Sequence, residues 1–114
     1  MREPTYFLLL ALAEEPRHGY GAAKRAEELS HGRVKITAGT LYGALDRLVD
    51  DGVVIVDREE VVRGRKRRYY RITDEGRLEL AAEVARLHAA ASAAGHLDLP
   101  SLGPSAIDLR GATP

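Results

Sequence analysis

Apolar residues run unbroken from Tyr6 to Ala13, and the pattern predicts a first helix from Pro4, a residue favoured at the first helical position, to about Glu15, where Pro16 ends it. Tyr6, Phe7, Leu8, Leu9, Leu10 and Leu12 cover its whole circumference. Such a helix must be buried on more than one side, and in so short a chain a second subunit is one source of that cover. Pro16-Arg17-His18-Gly19 reads as a turn, and Tyr20 to about Ser30 as a weaker helix packing through Ala22, Ala23, Ala26 and Leu29. After a loop at His31-Gly32-Arg33, Val34-Lys35-Ile36 reads as one short strand. Thr37 offers an N-cap for a third helix that ends at Gly52, with Leu41, Leu45, Leu48 and Val49 at i, i+4, i+7 and i+8 as its buried stripe.

Val53 to Val56 is β-branched throughout and predicts a strand, with Lys66 to Ile72 as its partner and the polar segment between them as a hairpin loop around Gly64. Tyr70 and Ile72 share a strand face as core residues, whereas Tyr69 points the other way, towards core or phosphate. Thr73 caps a fourth helix whose first turn holds Asp74 and Glu75, where the helix dipole favours acids. This helix runs to about Ala94, and Gly95 ends it. Its Leu80, Val84, Leu87, Ala91 and Ala94 are spaced 4-3-4-3, a narrow coiled-coil seam. The seam packs either on its own domain or on a second subunit. A helix of about 21 residues is roughly 30 Å long, more than so small a core covers, which favours the subunit contact.

The fold class expected is therefore mainly α with a small β-hairpin: a winged helix-turn-helix with a C-terminal dimerisation helix. Its parts are a DNA-binding domain at 4–73, the dimerisation helix at 74–94 and a flexible tail at 95–114.

Composition narrows the function classes. A chain of 114 residues suits one domain. With no cysteine it has no disulfide scaffold, thiol nucleophile or cysteine-based zinc site. The apolar run Tyr6 to Ala13 is far shorter than the roughly 20 residues of a membrane span. It is followed by Glu14 and Glu15, unlike a signal peptide, so no membrane contact and a cytoplasmic location are expected. His18, His31, His88 and His96 share no metal-ligand spacing. With no glycine-rich phosphate loop and no legible nucleophile–base set, neither an enzyme nor a cofactor is expected.

Net charge is zero, yet its distribution is uneven. From Arg63 to Arg71 the chain reads RGRKRRYYR, six basic residues and no acid, while acids cluster at Glu14-Glu15, Glu27-Glu28, Asp50-Asp51 and Glu59-Glu60. A local cation stripe remains available to phosphate over distances that salt leaves unscreened. Two constellations follow. With its leucines inward, the third helix presents Gly39, Thr40, Gly43, Arg47 and Asp50 outward. Its C-terminal acids would repel phosphate, so it enters a groove by its N-terminal end, with Thr37, Gly39 and Thr40 foremost. The bland reading is an ordinary amphipathic helix. The basic hairpin, with Arg63, Arg65, Lys66, Arg67 and Arg68 around Gly64, is either a wing tip lying on DNA or a solvated charge run.

The stretches FLLLALAEEPRHGY, TAGTLYGALDRLVDDGVV and RKRRYYRITDEGR resemble the PadR-like regulators, over residues 5 to about 80. Ala38 and Gly43 depart from that family's pattern, which often has proline at both places. The resemblance implies a bacterial transcriptional regulator of the short form, with one C-terminal helix that dimerises together with the first. It also implies that Tyr20 reaches phosphate from the start of the second helix; a tyrosine packed in the core beside a turn-forming His18 is the alternative. The expected DNA contacts are Tyr20, Lys35, Thr37, Gly39, Thr40, Tyr42, Gly43, Arg47, Arg63, Arg65, Lys66 and Arg67. The expected dimer contacts are Phe7, Leu10, Leu80, Val84, Leu87 and Ala91. In short-form relatives a pocket between subunits holds flat apolar ligands, often against tryptophan. A small aromatic or apolar effector is thus expected, although this chain has no tryptophan. The function expected is a homodimeric repressor on double-stranded DNA carrying an inverted repeat. The rival reading is a winged-helix module that binds protein instead.

Overall fold

The computed structural model describes residues 1–103; positions 104–114 of the expected tail lie outside the described residues. The elements are α1 (Glu3–Glu14), β1 (Arg17–His18), α2 (Gly19–Leu29), α3 (Ala38–Asp50), β2 (Val54–Val62), β3 (Arg65–Ile72) and α4 (Asp74–Ser92). All four expected helices are present, together with a three-stranded antiparallel sheet in the order β1-β3-β2.

One core joins every layer. Leu8, Leu9 and Leu12 of α1, Ala22 and Ala26 of α2, and the Leu41–Leu45–Leu48 stripe of α3 close on Val54, Tyr70 and Ile72 of the sheet. Only one face of the sheet is apolar, and only at its base. Alternation therefore sends Val54, Tyr70 and Ile72 inward, and leaves Ile55 and Arg71 in solvent. Phe7 and Leu10 are partly buried against this core, so α1 is enclosed on more than one side by its own domain.

The helix ends have identifiable chemistry. At the end of α3, Val53 N–H donates to the Leu48 carbonyl at 3.1 Å and Gly52 N–H to that of Val49 at 3.0 Å. This is a Schellman closure, with Gly52 at φ 76, a backbone state that costs glycine nothing. Thr73 couples α4 to that turn: its hydroxyl donates to the Gly52 carbonyl at 2.7 Å and accepts from Gly76 N–H at 3.0 Å. The end of α1 has no glycine. Its free carbonyls are taken by arginines instead, Arg17 on Ala11 at 3.0 Å and Arg77 on Ala13 at 3.2 Å.

Four sequence expectations need correction. Val34-Lys35-Ile36 forms no strand, although Val34 is buried. The third strand is instead Arg17–His18, inside the expected turn, paired Arg17 to Tyr70 and His18 to Tyr69. The polar segment expected as a loop is mostly strand: β2 extends to Val62, and a two-residue turn, Arg63-Gly64, with φ of 53 and 78, joins it to β3. Positive φ at both central positions is the type I′ arrangement that matches strand twist. Finally, Leu80, expected between subunits, is 7% exposed and belongs to the core of its own subunit.

Candidate nucleic-acid interface

The start of α2 forms one wall. His18 is its N-cap, with Nδ1 accepting the Gly21 N–H at 3.1 Å. Acceptance requires a neutral ring. Burial, and then the positive charge of Arg67, hold the imidazole below its usual value near 6.5. The ring packs edge-on against Tyr69 at 5.6 Å, and the guanidinium of Arg58 lies 4.0 Å from the centre of the same tyrosine. Tyr69 is thus neither core nor free. Glycine on either side of Tyr20 is a packing requirement: a Cβ at Gly19 would meet Tyr42 at 3.0 Å, and one at Gly21 would meet the His18 ring at 3.2 Å. Tyr20 itself is 69% exposed, which removes its core alternative.

The hairpin forms the opposite wall, and its pairing sorts the charges. Register sets Glu59 opposite Arg68 and Glu60 opposite Arg67, after an irregularity between Val56 and Arg58. Glu59 pairs with Arg68 at 3.3 Å, Asp57 with Arg71 at 3.2 Å, and Arg58 with both Asp57 and Glu60 at 3.0 and 2.9 Å. Arg58 holds the Glu60 carboxyl below its ordinary range. Among the described residues, Arg63, Arg65, Lys66 and Arg67 enter no ion pair, and all four are exposed. Of the six cations in the run, two, Arg68 and Arg71, are therefore compensated from the neighbouring strand, and the free charge is concentrated at the tip.

Between these walls lies an open cleft of about 920 Å³. Tyr20, Tyr42, Arg63, Arg65, Lys66 and Arg67, all expected at the site, line it together with Arg68, Glu59 and His18. Tyr42 is half exposed. A smaller groove of about 330 Å³ beside Tyr20 takes in Lys35 and Thr37, with Ile36 and Leu41 as its apolar floor. Gly39, Thr40, Gly43 and Arg47 line neither. They form the outer face of α3, exposed, with open space at the Cβ positions of both glycines. Thr37 occupies the N-cap position of α3, but its hydroxyl donates to Thr40 Oγ1 at 3.2 Å and caps no backbone N–H. The early N–H groups of α3 thus lack a side-chain acceptor. Missed from the sequence were the cap formed by His18, the Arg58–Tyr69 stack and Glu59. Only the first had a signal, a side-chain acceptor ahead of a helical pattern.

Of the expected dimer residues apart from Leu80, Val84 is half buried and Leu87 and Ala91 are exposed along the second half of α4. Glu83, on the same helix, is buried and accepts two hydrogen bonds from Arg86, at 2.6 and 3.0 Å. Among the described residues, no helix is long and apolar enough to cross a membrane, and no three potential ligands gather as a metal would require.

Known proteins share this arrangement. The chain is 43% identical over 68 residues to a transcriptional regulator of Mycobacterium tuberculosis, Rv3488, the match spanning 60% of each protein. A PadR family transcriptional regulator of Eggerthella lenta superposes with a TM-score of 0.63 at 29% identity, covering 82% of this chain and 81% of that one. Bacillus subtilis PadR, solved in complex with operator DNA, shares the fold at a TM-score of 0.66 and 21% identity, with 96% of this chain matched to 57% of that one. The profile of the transcriptional regulator PadR-like family matches residues 8–82, and the chain, four helices and a winged sheet, belongs to that family.

Proposed function

We propose that this chain is a homodimeric DNA-binding repressor that reads an inverted repeat in the cytoplasm. The observation that carries the reading is the placement of four cations that have no ion-pair partner among the described residues, Arg63, Arg65, Lys66 and Arg67, across a cleft from Tyr20 and Tyr42 and beside the open outer face of α3. Cations free of internal partners are available to phosphate, and a helix face with two bare glycines admits close approach to base edges. The operator complex of Bacillus subtilis PadR supports this at the level of fold. The second half of α4, exposed at Leu87 and Ala91, is the surface through which two copies pair. A small aromatic or apolar effector lodged there would alter the spacing of the two α3 helices, and with it the affinity for DNA.

Selection of bound sites from a random duplex library, followed by salt titration, tests the reading. Four phosphate contacts per protomer predict a log–log salt slope of about −3.6 per protomer, roughly −7 for a dimer. Alanine at Arg65, Lys66 or Arg67 should each reduce that slope by about one per protomer, on selected and random DNA alike. Salt-insensitive binding to a protein in place of DNA would favour the interaction-module reading.

A further inference from the structure

Among the described residues that line the cationic cleft, Glu59 is the one acid. It reaches across the hairpin to Arg68 at 3.3 Å, with the two side chains 46% and 50% exposed. Asp57 and Glu60, the other acids of β2, are tied to Arg58 and Arg71. A half-exposed ion pair contributes little to folding. It does, however, determine which of the cations in the cleft are free. With the pair in place, the free charge ends at Arg67; without it, Arg68 would keep its contact with the Tyr70 phenol but no anionic partner, and the uncompensated stripe would reach one residue deeper.

We infer that Glu59 is a specificity-determining residue of the interface: by holding Arg68, it withholds that guanidinium from phosphate and limits the grip of the cleft on DNA of arbitrary sequence. The inference rests on the DNA-binding reading and deepens it. Phosphate contacts supply essentially all the affinity for random duplex, whereas a preferred site adds base contacts from α3. One more available cation therefore favours random DNA disproportionately. A phosphate inside the cleft would also lie within the roughly 8 Å over which the Glu59 charge is felt at physiological salt. The carboxylate thus acts twice against loose docking, by occupying Arg68 and by repelling the backbone.

The test uses the full chain as wild type, Glu59→Gln, Arg68→Gln and the double variant, each titrated with random duplex and with the selected site over a range of salt. Glu59→Gln should bind random duplex about ten-fold more tightly, with a slope steeper by about 0.9 per protomer. The ratio of selected-site to random affinity should fall several-fold. Arg68→Gln, which leaves Glu59 uncompensated in the cleft, should bind random duplex no more tightly than wild type, and the double variant should keep only the smaller part of the gain that comes from lost repulsion, since the rest runs through Arg68. Unchanged random affinity and slope in Glu59→Gln would overturn the inference while leaving the DNA-binding reading intact, as would a gain that persists in full without Arg68. A wild type with no salt-dependent DNA binding overturns the underlying reading itself. Thermal melting confirms that each variant folds; Glu59→Ala, which carries the same expectation, replaces Glu59→Gln if that does not fold, and Arg68→Ala replaces Arg68→Gln.

Discussion

Gly43 gives a prediction in which stability and function move in opposite directions. It lies inside α3 with a helical φ, and nothing stands within 4 Å of where its Cβ would be. Glycine within an exposed helix costs about 0.8–1 kcal/mol relative to alanine, and glutamine is nearly as good a helix former as alanine. Gly43→Ala and Gly43→Gln should therefore both stabilise the fold by somewhat under or about 1 kcal/mol. For a domain of this size that raises Tm by about 4–8 °C. Binding should respond the other way. A glutamine side chain on the groove-facing surface would hold off Thr40 and Arg47, one turn away on either side, and breaking a direct hydrogen bond to a base costs about 1–3 kcal/mol. Since 1.4 kcal/mol is a factor of ten, Gly43→Gln should bind the selected site at least about five-fold more weakly. Gly43→Ala should show a smaller decrease. Scanning calorimetry and fluorescence anisotropy on the same preparations measure both quantities. A variant that melts higher and binds as wild type would refute the placement of the outer face of α3 in a groove. One that melts lower would refute the open environment assigned to Gly43.

Three further outcomes are expected. His18 is held neutral in the folded protein, so the stability it supplies is present above its ordinary value near 6.5 and is lost as pH falls through the lower folded value. Denaturant titration from about pH 8 to pH 5 should show that loss in wild type and not in His18→Asn, which retains a capping acceptor; identical profiles would dismiss the role of the imidazole. Gly76→Ala should destabilise by about 1–3 kcal/mol, because its Cβ would stand 2.7 Å from Ile72 Cγ1 and 3.0 Å from the Val53 carbonyl carbon, outweighing any gain in helix propensity; a raised Tm would contradict this. Leu87→Asp should leave the subunit folded, since Leu87 is 39% exposed within it, and should shift sedimentation to monomer; an intact dimer would remove the second half of α4 from the interface.

The helices were legible because each carries a 3.6-residue apolar stripe or a recognisable end: Leu41–Leu45–Leu48 for α3, Thr73 with Asp74 and Glu75 for α4. β1 was not, since two residues display no period and Arg17 and His18 have no strand composition. The length of β2 was hidden for a different reason. From Asp57 onward both faces meet solvent, so alternation has nothing to report, and charged residues in a ladder look like those in a loop. The expected strand at Val34–Ile36 failed because β-branched composition supplies propensity but no partner for the backbone. At the site, identity was readable and compensation was not. The free cations of the wing tip were visible as a run, whereas the neutralisation of Arg68 and Arg71 depends on residues more than eight positions upstream, brought alongside only by pairing.

The irregularity at Asp57 carries a consequence for insertions and deletions in the wing. Beyond it, Glu59 faces Arg68 and Glu60 faces Arg67; pairing continued without the extra residue would set Glu59 against Arg67 and Glu60 against Lys66, and would exchange the faces on which they stand. The charge pattern of the cleft is thus written in strand length as much as in composition. Deleting Asp57 would straighten the strand, preserve every pair from Glu59 to Val62, and take the Asp57 carboxylate from Arg71 and from Arg58, which keeps Glu60. Deleting one residue between Arg58 and the turn would move the acids relative to the cations with no change in net charge at all when that residue is Val61 or Val62. Two homologous wings of equal charge and nearly equal sequence would then present different cations to a phosphate backbone, because a single-residue change in length had rephased one strand against the other.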